Sequence, residues 1–488
     1  MLPGVKIKIE NGALGGQNIS QDGVSGVIIS GVAGVAGTAP SWELTFDQTP
    51  PSTDTDLTVT FPDASELIVS LTGSQTLAQL ATEFASQIVK AGYTVTLPAS
   101  DKVLITGPLE LATLVLSTDL SISVNTLITV STFDEGEVPG LQLLKAMKFT
   151  RLSQAEDKGI TAIGTNAFAH KVIKDFYDMA AEGSELYVYL VAKSVKMSEM
   201  VDKDFGIISD FISQTKGRVR NLTVTRLASE SFSAGDAMDA DVALAVSKGE
   251  IARRYYVGKM QPFRLIVDGK NFDGDSENLK DYRKEANSGV AILLCANEIG
   301  GNASVGLILG SKAQLPVQRK VSRVKNGALP IQEAYFTNDE LIEDEEAIWT
   351  ECHDKGYIII RTYPNRSGYY FSSDTTATSL TDDYSSLARG SVIDKAMLIT
   401  HEVFVEEIDD EIDTNEAGDL DASQIKSLQS TIEETLNVKM VQNGECTSVI
   451  CVIDPRQDTM STGELEINLR VKPRGYKTYI NVSLGFTL

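Results

Sequence analysis

Three short apolar runs decide the fold class: Leu186-Tyr-Val-Tyr-Leu-Val191, Phe263-Arg-Leu-Ile-Val267 and Val290-Ala-Ile-Leu-Leu294. Apolar runs of this length without polar alternation are typical of strands in a sheet that is covered on both faces. Helical patterns lie around them at about residues 198–215, 235–257 and 276–287. We therefore predict an α/β middle domain, made of residues 135–330 and of a glycine-rich, strand-like stretch at 23–40.

The pattern changes after this domain, over residues 331–473. Helical signals fall at 339–355 and 423–440, and the second carries one apolar stripe, formed by Ile425, Leu428, Ile432 and Leu436. Strand signals fall at 357–362, 448–453 and 465–471. This composition of elements predicts a C-terminal α+β domain.

Residues 41–134 have a composition of their own. Thr and Ser abound there, Arg is missing, and the only lysines are Lys90 and Lys102. Strand signals at 57–61 and 66–71 precede a helix that Thr76 can cap, and two more strand signals follow at 93–97 and 102–106. We predict an inserted surface module with the order ββαββ.

Both ends of the chain alternate apolar and polar residues with the period of a half-buried strand. The alternating apolar residues are Val5, Ile7, Ile9, Ile480, Val482, Leu484 and Phe486. Chain ends fray unless they dock, and a strand needs a partner for its backbone groups. We interpret residues 1–22 and 474–488 as two linking arms, the N-terminal arm and the C-terminal arm. Each arm either adds a strand to a sheet of another chain or closes a sheet of its own subunit.

Composition excludes several classes of protein. The 488 residues are 42% hydrophobic and 23% charged, values of an ordinary globular protein. Asp and Glu total 67 against 43 for Lys and Arg, and the net charge of −24 would repel a nucleic acid backbone. The first ten residues lack the apolar core of a signal peptide. We expect no nucleic acid partner, no membrane insertion, and assembly in a bacterial cytoplasm.

No motif indicates catalysis. Residues 306–312 have the wrong spacing and residue order for a phosphate loop, and 271–275 resemble the start of a calcium loop but lack its glycine and its distal Glu. The four cysteines and three histidines show no metal-ligand spacing. We predict a protein that is not an enzyme and that needs no cofactor or metal.

Charge is segregated in the second half of the chain. Acids cluster at 339–346 and 402–413, whereas bases cluster at 312–325. Such clusters are either solvated faces or surfaces that recognise a neighbour of opposite charge. The candidate contacts to a tube or a neighbouring subunit are Glu343, Glu346, Arg319, Lys320 and Arg323.

Four stretches resemble the sheath subunits of contractile phage tails and of related contractile injection systems, including Mu-like phages. The start Pro3-Gly-Val5 is similar to the start common in that family. Gly356-Tyr-Ile-Ile-Ile-Arg361, then Gly368-Tyr-Tyr-Phe-Ser-Ser-Asp374-Thr375, then residues 384–394 around Arg389 and Ile393 follow the order of the family's C-terminal half. The resemblance covers residues 1–40 and 140–488, and 41–134 resemble small insertions on the outside of Mu-like sheaths.

The resemblance implies a structural protein of a virion tail or injection particle. Its subunits would form stacked rings, expected to be hexameric, around an inner tail tube, with baseplate and tail terminator proteins as further partners. The two arms would add strands to sheets in neighbouring C-terminal domains, and contraction for genome ejection or injection would be a switch between two helical packings.

Two other classes stay open from the residues themselves. The Thr-rich module suits a surface-exposed binding or adhesion protein, and the α/β pattern suits an enzyme whose site carries no recognisable motif. Cylinders in negative-stain micrographs distinguish a sheath subunit from both.

Overall fold

The computed structural model describes residues 21–34, 41–48, 51–61, 65–107, 121–122, 127–134, 141–228, 234–415, 418–478, 480 and 482. The chain divides into two compact units: Ala33–Gln142, and a larger unit formed by the chain on either side of it. The predicted module, residues 41–134, falls within the smaller unit. Helices and strands in several sheets make a mixed α/β and α+β architecture, as expected.

The strands are β1 Ser25–Gly31, β2 Ser41–Phe46, β3 Thr55–Thr60, β4 Glu66–Leu71, β5 Thr94–Ala99, β6 Lys102–Thr106, β7 Ser121–Ile122, β8 Ile128–Asp134, β9 Ala146–Phe149, β10 Leu186–Ala192, β11 Asn221–Thr225, β12 Ala234–Gly235, β13 Met238–Asp239, β14 Arg264–Asp268, β15 Ala286–Asn287, β16 Val290–Leu293, β17 Cys295–Ala296, β18 Tyr335–Phe336, β19 Ile360–Tyr363, β20 Arg366–Phe371, β21 Ala377–Thr378, β22 Cys446–Ile453 and β23 Ile467–Pro473. The helices are α1 Leu77–Gln87, α2 Leu152–Asp157, α3 Ala167–Met179, α4 Met197–Met200, α5 Ile207–Gln214, α6 Ala240–Val257, α7 Val305–Gln314, α8 Trp349–Asp354, α9 Leu387–Phe404, α10 Ala422–Leu436 and α11 Thr459–Thr462.

Six strands of the larger unit form the main sheet, in the order β16-β14-β11-β1-β10-β9. The first five run parallel to their neighbours, and β9 is antiparallel to β10 at one edge. The three apolar runs are β10, β14 and β16, which confirms them as buried strands. Every residue of β1 is buried too, so the glycine-rich stretch supplies a central strand.

Helices α3, α6 and α7 pack against the main sheet. Helices α3 and α7 approach each other closely through two glycines of α7. A Cβ at Gly306 would lie 2.3 Å from the carbonyl oxygen of Val172, and one at Gly310 would lie 2.3 Å from that of Phe176. The stretch 306–312 therefore serves helix packing, in agreement with its structural interpretation.

Two predicted helices are wrong. Residues 276–287 contain a 3-10 turn at Tyr282–Lys284 and the short strand β15, and 339–355 contain a 3-10 turn and the short α8. Distant side chains take up the first segment's backbone carbonyls: the Lys355 Nζ donates to those of Ser276 and Glu277, and the Tyr357 hydroxyl to that of Lys280. Tertiary partners thus replace the helical hydrogen bonds.

Two other helical stretches are only partly helical. Residues 198–215 form α4 and α5, which are separate because Gly206 has a φ of +101° at the start of α5. Residues 235–257 begin with the end of β12 and with β13, and α6 starts after Asp239, whose carboxylate accepts a hydrogen bond from the N–H of Asp241. The predicted strand at 357–362 is shifted, because β19 begins at Ile360.

The smaller unit contains more strands than the predicted order ββαββ. Its two sheets have the orders β5-β6-β2-β8 and β4-β3-β7, so the prediction missed β2, β7 and β8. Helix α1 begins with a capping box in which Thr76 and Gln79 exchange hydrogen bonds, as the cap prediction requires. Phe46 and Phe84 meet edge to face in its core.

The C-terminal part packs α9 and α10 on the antiparallel pair β22 and β23. Ile425, Ile432 and Leu436 of α10 are buried, which confirms the apolar stripe, and the helix continues as a π-helix over Asn437–Val441. The buried Arg264 of β14 donates two hydrogen bonds of 2.6 Å to Asp394 of α9. This ion pair ties the helix to the main sheet.

Candidate assembly surfaces

The pair β22 and β23 forms a small sheet with one face on a hydrophobic core. Cys451 and Ile453 are buried in that core, and α10 covers it. On the opposite face Ile450 is 54% exposed and Val452 50% exposed. The sheet thus carries apolar residues on both faces, and the described residues cover only one of them.

The two edges of this sheet differ. On β22, the N–H of Cys451 donates to Oε1 of Glu433 of α10 at 2.7 Å. In the part of the chain that the structure describes, β23 pairs with no strand other than β22. Unpaired strand edges are templates for pairing with a further strand. The edge of β23 is therefore the candidate docking edge of this domain.

The C-terminal arm leaves this sheet and first touches the middle domain. The Tyr476 hydroxyl donates to the carbonyl oxygen of Gln318 at 2.6 Å, and the Lys320 Nζ lies 4.7 Å from the centre of the tyrosine ring. Burial raises the pKa of Tyr476 to about 12 and lowers that of Lys320. Tyr476 thus fixes the point from which the rest of the arm departs.

Beyond this anchor the described apolar residues of the C-terminal arm are uncovered. Ile480 is 74% exposed and Val482 is 78% exposed, and neither lies in a strand. The remaining arm residues singled out from the sequence lie outside the described residues: Val5, Ile7, Ile9, Leu484 and Phe486. Strand addition by the arms stays a prediction.

The acidic candidates lie on the surface. Glu343 and Glu346 are both exposed. Partial burial and a hydrogen bond to Glu343 raise the pKa of Tyr369 to about 12. Glu343 therefore already has a partner in β20, whereas Glu346 forms no ion pair with a described lysine or arginine. Contact of either residue with a tube or a neighbour stays a prediction.

The basic stretch 312–325 does not form one continuous surface. Lys312 is buried, and burial lowers its pKa. Arg319 and Lys320 are half-buried, and only Arg323 of the three basic candidates is fully exposed. The sequence pattern could not separate these lysines and arginines, because it reports charge and not the packing around it.

An open cleft of about 780 Å³ lies at the tip of the hairpin β19–β20. Tyr363 and Tyr370 stand edge to face with ring centres 5.5 Å apart, and the Arg361 guanidinium lies 4.4 Å from the centre of the Tyr363 ring. Arg366 lines the cleft and donates to the Tyr370 hydroxyl at 3.2 Å. The sequence analysis missed this basic, aromatic site.

Two family models match the chain, described as the N-terminal domain of DUF2586 at residues 136–375 and the C-terminal domain of DUF2586 at residues 383–488. Together they span well over half of the sequence. The chain belongs to the DUF2586 family. No curated protein matches the chain in sequence.

The DUF2586 chain is also similar to solved structures of contractile particles. The helical sheath of the anti-feeding prophage (AFP) in its contracted state is 14% identical, with a TM-score of 0.49 over 70% of this chain and 88% of the other. The contracted sheath complex of an extracellular contractile injection system, PVC, is 12% identical, with a TM-score of 0.47 over 71% of this chain and 87% of the other.

The structure of the DUF2586 chain also bears on three other features: a reactive cysteine, a metal site and a membrane-spanning helix. Burial raises the pKa of Cys352 to about 12, which leaves a thiol and not a thiolate at neutral pH. In the described part of the chain, no three His, Cys, Asp or Glu residues are grouped so that they could hold a metal ion. No described helix is both long and apolar enough to cross a membrane.

Asp268 at the carboxyl end of β14 is the most enclosed carboxyl group of the main sheet. Thr225 and Asn302 donate hydrogen bonds of 2.6 and 2.7 Å to one carboxylate oxygen, and the N–H of Ala303 donates to the other at 2.8 Å. Burial nevertheless raises the pKa of Asp268 to about 6. The three donors join neighbouring segments at this sheet end, which is a structural role.

Proposed function

We propose that this protein is the structural subunit of a contractile sheath. Its subunits polymerise as stacked rings around an inner tube, and the sheath contracts to drive the tube through a target envelope. Two observations together support the proposal. The β23 edge pairs with no described strand other than β22, and the C-terminal arm departs from the same domain with exposed apolar residues.

The anchor at Tyr476 gives the arm a usable reach. Twelve residues follow it. At about 3.3 Å for each extended residue they span roughly 40 Å, more than the diameter of a small domain, about 30 Å. Ile480 and Val482 lie four and six residues beyond the anchor, so they extend roughly 13 and 20 Å from it. They can reach the β23 edge of a neighbouring subunit in direct contact, where backbone hydrogen bonds would attach them.

Strand addition suits a sheath that changes its helical packing. Bonds between backbones hold neighbours together, and the segments on either side of an added strand let subunits rotate against one another. Buried ties within the subunit, such as Arg264 with Asp394, favour movement of the larger unit as one body. Contraction then releases energy stored in the extended packing and needs no nucleotide or other cofactor.

The partners under this proposal are further copies of the chain, an inner tube protein, and the baseplate and terminator proteins at the two ends. The particle is a virion tail or an injection system that assembles in a bacterial cytoplasm. The subunit binds neither nucleic acid nor lipid in this role, and it catalyses no reaction.

The test is negative-stain electron microscopy of the full chain and of a chain that ends at Lys477. We expect striated hollow cylinders from the full chain. The shortened chain keeps the Tyr476 anchor, so it should stay folded as a monomer and form no cylinders.

A single substitution separates backbone pairing from side-chain contact. Val482→Pro removes a backbone donor and should abolish cylinders, whereas Val482→Ala keeps that donor and should retain them in part. Monodisperse particles of the full chain at all concentrations would overturn the proposed function. A shortened chain that melts far below the full chain would show that the arm belongs to its own subunit.

A further inference from the structure

The cleft at the hairpin tip is a positively charged site without an acidic partner. Val324 also lines it, and the exposed residues Arg323 and Lys325 flank Val324 at the start of a 3-10 turn. None of Arg323, Lys325 and Arg366 forms an ion pair with a described carboxylate. In a protein with a net charge of −24, three unpaired cations around one cleft form a distinct recognition surface.

The cleft has a defined shape. The N–H of Leu329 donates to the carbonyl oxygen of Tyr369 at 2.8 Å, which holds the 3-10 turn beside β20. Asn365 has a φ of +61° at the hairpin tip, where Pro364 precedes it, a pairing typical of a tight turn. The two walls of the cleft are thus fixed before any partner binds, which lowers the entropic cost of binding.

The two faces of β20 carry opposite charge. Consecutive strand residues point to opposite faces, so Tyr369 and Tyr370 face away from each other. Tyr369 lies beside Glu343, whereas Tyr370 lies beside Arg366. Glu343 therefore lies on the other face of β20, and it does not neutralise the cleft.

A segment of the same chain has the complementary character. Residues 405–413 hold six acids and no Lys or Arg. Glu406, Glu407, Asp410 and Glu411 are exposed and form no ion pair with a described cation, and Ile408 between them is 67% exposed. The segment is held at its far end, where the N–H of Asp413 donates to Gln424 at 2.7 Å and Ile412 packs on the core.

We propose that the cleft formed by Val324, Tyr363, Arg366 and Tyr370 binds the acidic segment 405–413 of a second copy of this chain. Its cations meet the carboxylates, and Ile408 lies against the half-buried ring of Tyr363, which packs on the buried Tyr370. Because each copy carries one cleft and one segment, the contact is heterologous and can repeat from copy to copy, either around a ring or along a helix. The inference rests on the proposed self-assembly and names one of its contacts.

A pair of engineered cysteines tests the contact directly. All four native cysteines are buried, so introduced surface thiols react alone. We mix full chains carrying Ser367→Cys with full chains carrying Asp410→Cys under oxidising conditions and run them on a non-reducing gel. We expect a covalent dimer. Ser367→Cys mixed with Ser153→Cys, an exposed position on α2, should give none.

Charge reversal gives a second, independent test. Arg366→Glu with Lys325→Glu should raise the concentration needed for assembly by about tenfold, and so should Asp410→Lys with Glu411→Lys, because like charges then face each other. A chain with all four changes should assemble like the original. Arg151→Glu with Lys158→Glu changes the charge equally at exposed positions elsewhere and should have little effect.

The outcomes separate the inference from the proposed function. Cylinders without the cross-link, or without recovery in the fourfold variant, overturn the contact and leave the sheath function standing. A cross-link in small oligomers of a chain that never forms cylinders supports the contact and overturns the sheath function. If the cleft substitutions weaken assembly and the substitutions in 405–413 do not, the cleft binds something other than this segment. That result also overturns the contact.

Discussion

The six-stranded main sheet and the two-stranded sheet β22–β23 differ in how completely the subunit buries them. In the six-stranded sheet, β1, β11, β14 and β16 are buried throughout. In the pair β22 and β23, five of the eight residues of β22 are not fully buried, and no described strand other than β22 pairs with β23. The first sheet lies in the core of the subunit, and the second has a face and an edge that the described residues leave uncovered.

The difference shows that the exposure of a strand's side chains depends more on the elements that pack on the strand than on its composition. Ile450 and Val452 are as apolar as the residues of β14, yet about half of each side chain is exposed. They remain exposed because no described element covers that face. Four experiments test this contrast, and they are given from the largest expected effect on stability to the smallest.

The strongest test breaks the ion pair that ties α9 to the main sheet. Asp394→Ala leaves the buried Arg264 guanidinium without its carboxylate, and we expect the free energy of unfolding to fall by about 3–5 kcal/mol. Urea unfolding of the full chain measures it. Arg470→Ala on the exposed side of β23 should change that free energy by less than about 0.5 kcal/mol. Equal losses would contradict the contrast between the two sheets.

Asp268 should give the main sheet a pH dependence. Its pKa is raised to about 6 in the folded state, against about 3.9 in an unfolded chain, so the folded state binds the proton more tightly. The resulting stability is fully present below about pH 4 and is lost as the pH rises through 6, by about 2–3 kcal/mol. Unfolding of the protein and of Asp268→Asn at pH 4.5 and 7 isolates this contribution. An identical pH response in both would refute it.

The stability of the β22 edge should depend on the Glu433 carboxylate, which accepts a hydrogen bond from the N–H of Cys451. Glu433→Ala leaves the N–H of Cys451 without its partner, and we expect a loss of about 1–2 kcal/mol in unfolding free energy. Glu434→Ala removes an exposed carboxylate one residue away and serves as the matched control. If the control is as destabilising as Glu433→Ala, helix α10 and not the strand edge explains the effect.

The smallest expected effect concerns the uncovered face of β22. Replacing Ile450 and Val452 together with Thr keeps two β-branched residues, and the unfolding free energy of the monomer should change by less than about 0.5 kcal/mol. Thermal melting of the monomer checks this. A large drop in the melting temperature would mean that the subunit itself covers this face.

Sequence patterns predicted the strands better than the helices. Apolar runs such as 263–267 are recognisable because only an enclosed strand needs so many consecutive apolar residues. The segment 276–287 looked helical, but Tyr282 is buried against Tyr357, and distant side chains bind the carbonyls. Periodicity reports which residues are apolar, and it does not report which partner satisfies the backbone.

The candidate surfaces were predictable only in part. The alternation at the C-terminus singled out Ile480 and Val482, which are exposed. The anchoring of Tyr476 on Gln318 joins residues 158 positions apart, and no local pattern contains it. The cleft at Arg366 was missed for the same reason, since its walls come from two segments that the bridge between Leu329 and Tyr369 brings together.

By itself the sequence determined the class of the fold, the separate composition of the module, the acidic net charge and the strand-like ends, because these depend on residue types and their local spacing. Only the tertiary structure decided which basic residues are exposed. It buries Lys312 and leaves Arg323 and Arg366 exposed. The physical reason is that desolvation and pairing of a charge depend on atoms supplied by distant parts of the chain, and local sequence does not contain those distances.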